Sequence, residues 1–529
     1  MSEAPAPPPP APGGARFATL VGAGILLSRI FGLVRQRVLA HYLGLSSSAD
    51  AFSAGFRIPN LLQNLFGEGV LSASFIPVYS GLLARGQRED ARRLAGAVFG
   101  VLSLIVAVVV LVGVLATPWL IDAIATGFTG EKRLLTIRIV RVLFPGMGLL
   151  ALSAWCLGIL NSHRRFFLPY VAPVLWNIAI IVSLFVYGGR VADAELAVVA
   201  AWGSVAGSAL QLLVQLPLVL RLVGGMRPTL ERTVHLRTVG RNFAPAFLGR
   251  GVVQIGAYVD TLIASLLPTG AVAALMSAQM LYTLPVSLFG MSISAAELPE
   301  MASDAARDDA VAERLGARLH TGLRRIAFFV VPSAAALLVL GDVLAAALFE
   351  TGEFTRGDSV YVWALLAGAA VGLLASTTGR LYSSAFYALH DTRTPLRFAA
   401  VRVGIGVALG AVLALLAPAW LGIAPRWGAA GITLASSIGA WAELVLLRSA
   451  LRARLGVDRR SPDVTARLWA CSAVAALAAW GVKLLVDTMH PWIVAALVVG
   501  AFGVIYLATT AALGIEQARA LFARLRGAR

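Results

Sequence analysis

The chain has 529 residues, of which 58% are hydrophobic and only 13% charged, with a mean hydropathy of +0.81; soluble domains carry about a quarter charged residues. These values exclude a soluble globular protein and predict an all-α polytopic membrane protein. The net charge of +17 does not point to nucleic acid, because the basic residues fall between apolar runs and form no basic domain with interleaved aromatics.

In chain order, the opening MSEAPAPPPPAPGGA has too few apolar side chains to pack, so residues 1–16 are predicted to be a disordered Pro/Ala-rich tail. It lacks a basic start, and the next apolar run leads into arginines, unlike a cleaved signal peptide. Apolar windows of about 20 residues then predict fourteen spans, near 17–43, 49–82, 92–120, 134–160, 168–188, 195–222, 240–266, 270–296, 318–349, 359–388, 396–418, 428–450, 465–487 and 491–513. Arginines crowd alternate loops, as at Arg85, Arg88, Arg92 and Arg93, at Arg164 and Arg165, and at Arg452 and Arg454. The intervening loops hold only Lys132, Arg133, Arg190, Arg356 and Arg426. Short basic loops stay cytoplasmic, so both termini are expected inside, which agrees with an even number of spans.

The two halves resemble each other. FIPVYSGLLARGQREDARR corresponds to ELPEMASDAARDDAVAERL, ATGFT to ETGEFT, and LNSHRRFFLP to ALHDTRTP. The separation is nearly constant: 222 residues from Pro77 to Pro299, 225 from Gly127 to Gly352, 226 from Pro169 to Pro395. Two parallel six-helix bundles follow, a lobe at 17–225 and a lobe at 226–455, with two additional transmembrane helices within 456–513 and a basic cytoplasmic tail at 514–529. Paired bundles of this kind are the usual frame for alternating access.

Several charges lie inside the expected spans. Arg29 sits near the middle of the first, where a lipid-facing pose would cost about 2.5–3.5 kcal/mol, so it is expected to face protein or water. At about 100° per residue Arg35 is roughly 240° round from Arg29 and Arg37 roughly 80°, so the three do not share one narrow stripe. The second span holds Asp50, Arg57, Asn60, Gln63 and Glu68, and Pro59 there is expected to act as a hinge. Glu68 fits a ligand-binding acid, an ion-coupling acid or an ion-pair partner of Arg29 or Arg57. Asp260 in the seventh span suits coupling to an ion or proton, or an ion pair with a neighbouring arginine; Asp391, in the HDTRTP loop, is a second coupling candidate. Guanidinium groups bind phosphates bidentately and stay charged, so a lipid-linked diphosphate fits both the charge and the apolar setting.

No phosphate loop, HExxH or nucleophile elbow is present, so no catalytic residue or metal site is expected. Cys156 and Cys471 lie in apolar segments and imply neither a disulfide nor zinc.

SRIFGLVRQRVLAHYLGLSSSADAFSAGFRIPNLLQNLFGEGVLSASFIPVY closely resembles the N-terminal signature of the bacterial lipid II flippase family, MurJ or MviN, of the multidrug/oligosaccharidyl-lipid/polysaccharide exporter superfamily. NSHRRFFLPYVAPVLWN and FYALHDTRTP match further motifs, and the resemblance covers nearly the whole chain after the tail. It implies transport of the undecaprenyl-diphosphate-linked peptidoglycan precursor from the inner to the outer leaflet of the cytoplasmic membrane, without a cofactor. It places Ser28, Arg29, Arg35, Asp50, Arg57 and Glu68 on cavity-lining positions, Arg380 on a position basic in relatives, and the last two helices beside the polyprenyl tail. Where well-studied relatives have a cavity arginine in ADRL this chain reads AQML, with Gln279 and Met280, and Gln63 stands where some relatives are basic. Arg250, one helix earlier, is the candidate to supply the lost charge. Coupling to membrane potential, sodium or protons stays open, as do cell-wall synthesis proteins as partners. A flippase for another lipid-linked oligosaccharide, a drug exporter and a non-transporting scaffold are the competing readings.

Overall fold

The computed structural model describes residues 14–66, 70–71, 74–225, 227–231, 233–305, 311–456 and 462–520; side chains are described except those of 14–21, 58–66, 244–255, 305, 462 and 463. Most of the expected tail, residues 1–13, therefore lies outside the described residues, while Gly14 already opens the first helix. Among the described residues the repeating structure is helical throughout, apart from a single bridge between Thr351 and Phe354. In order, the helices are α1 (Gly14–Leu43), α2 (Ser47–Phe66), α3 (Ile76–Ala84), α4 (Arg88–Ile124), α5 (Gly130–Ser162), α6 (Phe167–Tyr187), α7 (Asp193–Val223), α8 (Val234–Ser265), α9 (Ala271–Pro285), α10 (Ser292–Ala305), α11 (Val311–Phe349), α12 (Arg356–Ala370), α13 (Leu373–Ala388), α14 (Arg393–Ala411), α15 (Ala417–Leu421), α16 (Gly428–Leu455), α17 (Pro462–Val486) and α18 (Pro491–Ala512).

Ten helical spans among these residues are long and apolar enough to cross a bilayer, eleven when α12 and α13 count as one bent span. Helices α1, α2 and α8 stand at the other three expected places but outside that count. Three expected spans of the second unit are not simple rods, the eleventh passing from α14 into α15 through a π-helical turn at Val412–Leu416. The eighth passes from α9 into α10 through a π-helical turn at Val286–Met291, directly after Pro285, and the tenth bends by 42° between α12 and α13. At that bend a side chain on Gly372 would strike Ser437, so the close approach of α16 fixes the residue type there.

The chain packs as two compact units, one of residues 1–42, 54–122 and 130–254, the other of 43–53, 123–129 and 255–529. The division falls inside α8, and not near residue 225, because Val239 early in α8 belongs to the core of the first unit whereas Ile263 near its end packs on Gly410 in the second.

In the first unit α5 is the central post: 78% of its apolar window is buried, against 22% for α4. Trp155, Ile159 and Leu160 of α5 meet Phe75, Tyr79, Leu94 and Val219 in the core. Lipid offers no hydrophobic gain for helix contact, so small residues and buried polar pairs do much of the joining. Gly113 lies under the Phe144 ring, and Gly207 against the Trp176 backbone. Ser153 Oγ accepts from Gln211 Nε2 at 3.1 Å and Gln215 Nε2 at 2.7 Å.

In the second unit α11 is the corresponding post, with 72% of its window buried. The two additional helices are tied to it by polar contacts. Lys483 of α17 donates to Asp342 of α11 at 2.6 Å, Trp492 to the Ala347 carbonyl at 2.6 Å, and Tyr506 to the Phe328 carbonyl at 2.6 Å. Arg356 also reaches Asp342, at 3.0 Å.

The duplication is visible in the backbone of each unit by itself. After α5, Arg164 adopts φ +58°, its amide donates to the Asn161 carbonyl at 3.0 Å, and the Arg165 amide to Leu160 at 2.8 Å. After α13, His390 adopts φ +58°, with His390 donating to Tyr387 at 3.0 Å and Asp391 to Phe386 at 2.9 Å. All four positions are displaced by 226 residues.

Replacing Lys483 by Met should lower stability by about 2 kcal/mol, less than the roughly 3–5 kcal/mol of a fully orphaned buried ion, because Arg356 still faces Asp342. Thermal unfolding in a fixed detergent reads the effect, and an unchanged melting point would refute it.

Candidate functional site

The first helix places Arg35 in a slot made by two other helices of its unit. The guanidinium carbon lies 5.2 Å from the Phe56 ring centroid and 5.1 Å from that of Trp176. Those two rings are themselves stacked, with centroids 5.4 Å apart. Nη1 donates to Asn177 Oδ1 at 3.1 Å, and Nε is buried without a hydrogen bond. The partners are oriented in turn, Asn177 donating to the Pro173 carbonyl at 3.0 Å and Trp176 to Ser204 Oγ at 3.0 Å. A planar cation gains from aromatic faces, and a fixed fork presents its remaining N–H groups in one direction. The slot can therefore orient a charged donor for a phosphate oxygen.

Arg57 of α2 is buried, Ser28 is half-buried and Arg29 is exposed. Helix α2 runs unbroken through Pro59, whose side chain, like those of Asn60 and Gln63, is outside the described residues; Glu68 lies wholly outside them. The Arg250 side chain is likewise undescribed, so its proposed substitution for the lost charge has no geometry here. In the second unit Arg380 is exposed and lies within electrostatic reach of Arg402, Tyr282 and Glu443. Arg402 donates to Glu443 at 3.1 Å. Asp260, Gln279 and Met280 are half-buried.

Two carboxylates among the candidates make helix-capping contacts. Asp50 is 1% exposed; its Oδ2 accepts from the Gly270 amide at 2.8 Å and its Oδ1 from the Ala273 amide at 2.9 Å. It caps α9, where free amides and the helix dipole both favour a negative charge. Asp391 caps α14: Oδ1 accepts from the Arg393 and Thr394 amides at 3.1 and 3.0 Å, and Oδ2 from Thr394 Oγ1 at 2.8 Å and Arg454 at 3.1 Å. These bonds, the Thr394 amide foremost, hold its carboxyl below the usual range. That arrangement anchors the turn.

Sequence spacing did not reveal Phe56, Trp176 or Asn177, although the last two sit in the quoted VAPVLWN motif. Arg35 and Asn177 are 142 residues apart. Nor did it reveal the Arg402–Glu443 pair. Among the described residues no group of three or more His, Cys, Asp or Glu gathers as a metal site.

The profile of the lipid II flippase MurJ family matches residues 39–503. The chain belongs to the MurJ family. It is 32% identical over 444 residues to a probable lipid II flippase MurJ of Rhizobium meliloti, covering 82% of this chain and 80% of that one. It is also 32% identical over 454 residues to the lipid II flippase MurJ of Burkholderia cenocepacia, covering 84% and 85%. Its fold matches a solved structure of lipid II flippase MurJ in an inward closed conformation with a TM-score of 0.77, at 22% identity over 94% of this chain and 98% of that one. An inward-facing MATE multidrug transporter matches with a TM-score of 0.64 at 16% identity, over 84% and 100%. The chain is thus a multi-pass membrane protein.

Asn177→Ala should leave the Arg35 fork short of an acceptor and lower stability by about 1–3 kcal/mol; an unshifted melting point would show that Asn177 does not hold it. Asp391→Ala should melt earlier at neutral pH. The folded carboxyl titrates below its unfolded value, so the stabilisation is complete above about pH 3.9 and disappears as pH falls through the folded value. Melting curves of wild type and Asp391→Ala should therefore converge only in acid.

Proposed function

We propose that this protein moves lipid II, the undecaprenyl-diphosphate-linked peptidoglycan precursor, from the inner to the outer leaflet of the bacterial cytoplasmic membrane by alternating access, as a carrier that makes and breaks no bond. The observation that carries the proposal is the family match over residues 39–503, joined to an intramembrane arginine, Arg35, held against the stacked rings of Phe56 and Trp176. The basic loops support an orientation with both termini in the cytoplasm.

In this mechanism Arg35 offers a donor whose direction is set before the ligand arrives, so little ordering accompanies capture of a diphosphate oxygen. Arg57 and Arg29 add positive charge from the same two helices. Binding must differ between the two states, because a ligand held equally in both shifts nothing. An inside-negative potential favours outward movement of an anion by about 2.3 kcal/mol per net charge per 100 mV, which makes the potential the simplest driving force.

Rescue of a bacterium depleted of its own flippase tests the proposal. The wild-type chain should restore growth; Arg35→Ala and Arg250→Ala should fail at equal expression, and Asp391→Asn should succeed. Lysis with the wild-type chain would reject the lipid II reading, and growth with Arg35→Ala would reject the role of the slot.

A further inference from the structure

At the end of the first unit where α5 and α7 finish and α4 begins, the expected cytoplasmic end, lies a cavity of about 730 Å³. Its charged lining is strongly one-sided. Arg88 and Arg92 contribute from α4, Arg221 from α7, and His163 from the turn after α5. The sole acid on the wall is Glu89, and it is already held by Arg92 at 2.9 Å and by Arg93 at 3.2 Å. Arg92 also reaches the Gly224 carbonyl at the end of α7, at 3.5 Å. Among the described residues Arg88 and Arg221 have no side-chain partner, so two permanent cations line a concave site in which the only carboxylate is engaged.

The site is also built on its apolar side. His163 is hydrogen bonded to the Tyr79 hydroxyl at 3.1 Å, Tyr79 is 1% exposed, and Leu83 and Leu222 complete the wall. The second half keeps a basic cavity lined by α11, α13, α16 and the start of α17. It measures about 380 Å³ and is lined by His320, Arg324 and Arg448. Arg448 follows Arg221 by 227 residues, in step with the repeat. Arginines that merely mark the cytoplasmic side would need no concavity.

We propose that the cavity bounded by Arg88, Arg92, Arg221 and His163 is a binding site for a phosphate-bearing anion, distinct from the flipping site. Arginine forks match phosphate oxygens with charge-assisted bonds, and the imidazole can add a third donor once protonated. The phosphate comes either from a lipid headgroup of the inner leaflet or from a soluble phosphate, and the two sources share this chemistry.

Burial and the neighbouring Arg88 hold His163 below its ordinary range. The groups facing it are Tyr79 from α3, Arg88, Glu89 and Arg92 from α4, and Arg221 from α7, with Arg164 and Arg165 beside it in the turn. An anion among them favours the imidazolium, so binding raises the His163 pKa and, reciprocally, strengthens as pH falls.

The test is the titration of His163, followed by NMR on full-length protein with ¹³C-labelled histidine in nanodiscs of neutral lipid and assigned with His163→Gln. Inorganic phosphate is compared with chloride at equal ionic strength, and neutral discs with discs containing an anionic phospholipid. A rise with inorganic phosphate supports a soluble phosphate; a rise only in anionic discs supports a lipid headgroup. Arg88→Gln with Arg221→Gln should weaken binding about tenfold for each lost arginine and abolish the rise, while the melting point reports that the variant is folded. No rise with either probe, an equal rise with chloride, or a rise undiminished in the folded double variant overturns the proposal. Growth rescue by the wild-type chain judges the flipping reading separately.

Discussion

A charge or an unpaired backbone group inside a bilayer must be met by the protein itself, because no water is there to meet it. In the first unit this requirement falls on Arg35, and the answer comes from three other side chains on two helices. The stacked pair Phe56 and Trp176 lies against it, and Asn177 accepts one of its hydrogen bonds. Each of those partners except Phe56 is pinned by a further hydrogen bond. The order of the slot is therefore a property of α1, α2 and α6 together, and a single donor direction results.

The same requirement explains how the second unit holds its additional helices. Asp342 is buried and receives both Lys483 and Arg356. Tyr506 and Trp492 bring hydrogen-bond donors of α18 to carbonyls of α11. Apolar contact alone would not select this arrangement, since lipid tails satisfy leucine as well as another helix does. Polar pairs at defined heights fix where α17 and α18 sit along α11, and that precision matters in helices whose outer faces are almost wholly apolar.

Much of the fold could be read from the chain because a spanning helix must satisfy its own backbone, which forces long apolar runs with polar ends. The repeat could be read as well, since the turn at Arg164 and its counterpart at His390 conserve length and local pairing. The partners of the charges could not. Helical spacing relates residues on one helix, whereas Arg35 meets Asn177 across 142 residues and Asp50 meets Gly270 across 220. A carboxylate at the end of a span has the same sequence signature whether it faces a cavity or caps a neighbouring helix. The cap contacts of Asp50 and Asp391 are of this kind.

The irregular backbone of the second unit has a different origin. Pro285 removes an amide from the helical ladder, and the π turn that follows carries Gly290 against Thr377 of α13. The bend between α12 and α13 brings Gly372 against Ser437, whose hydroxyl donates to the Gly368 carbonyl at 2.7 Å. Both breaks thus coincide with glycines at close helix contacts, and at the bend a neighbouring side chain binds a carbonyl beside it. Backbone irregularity at membrane depth survives only with such support.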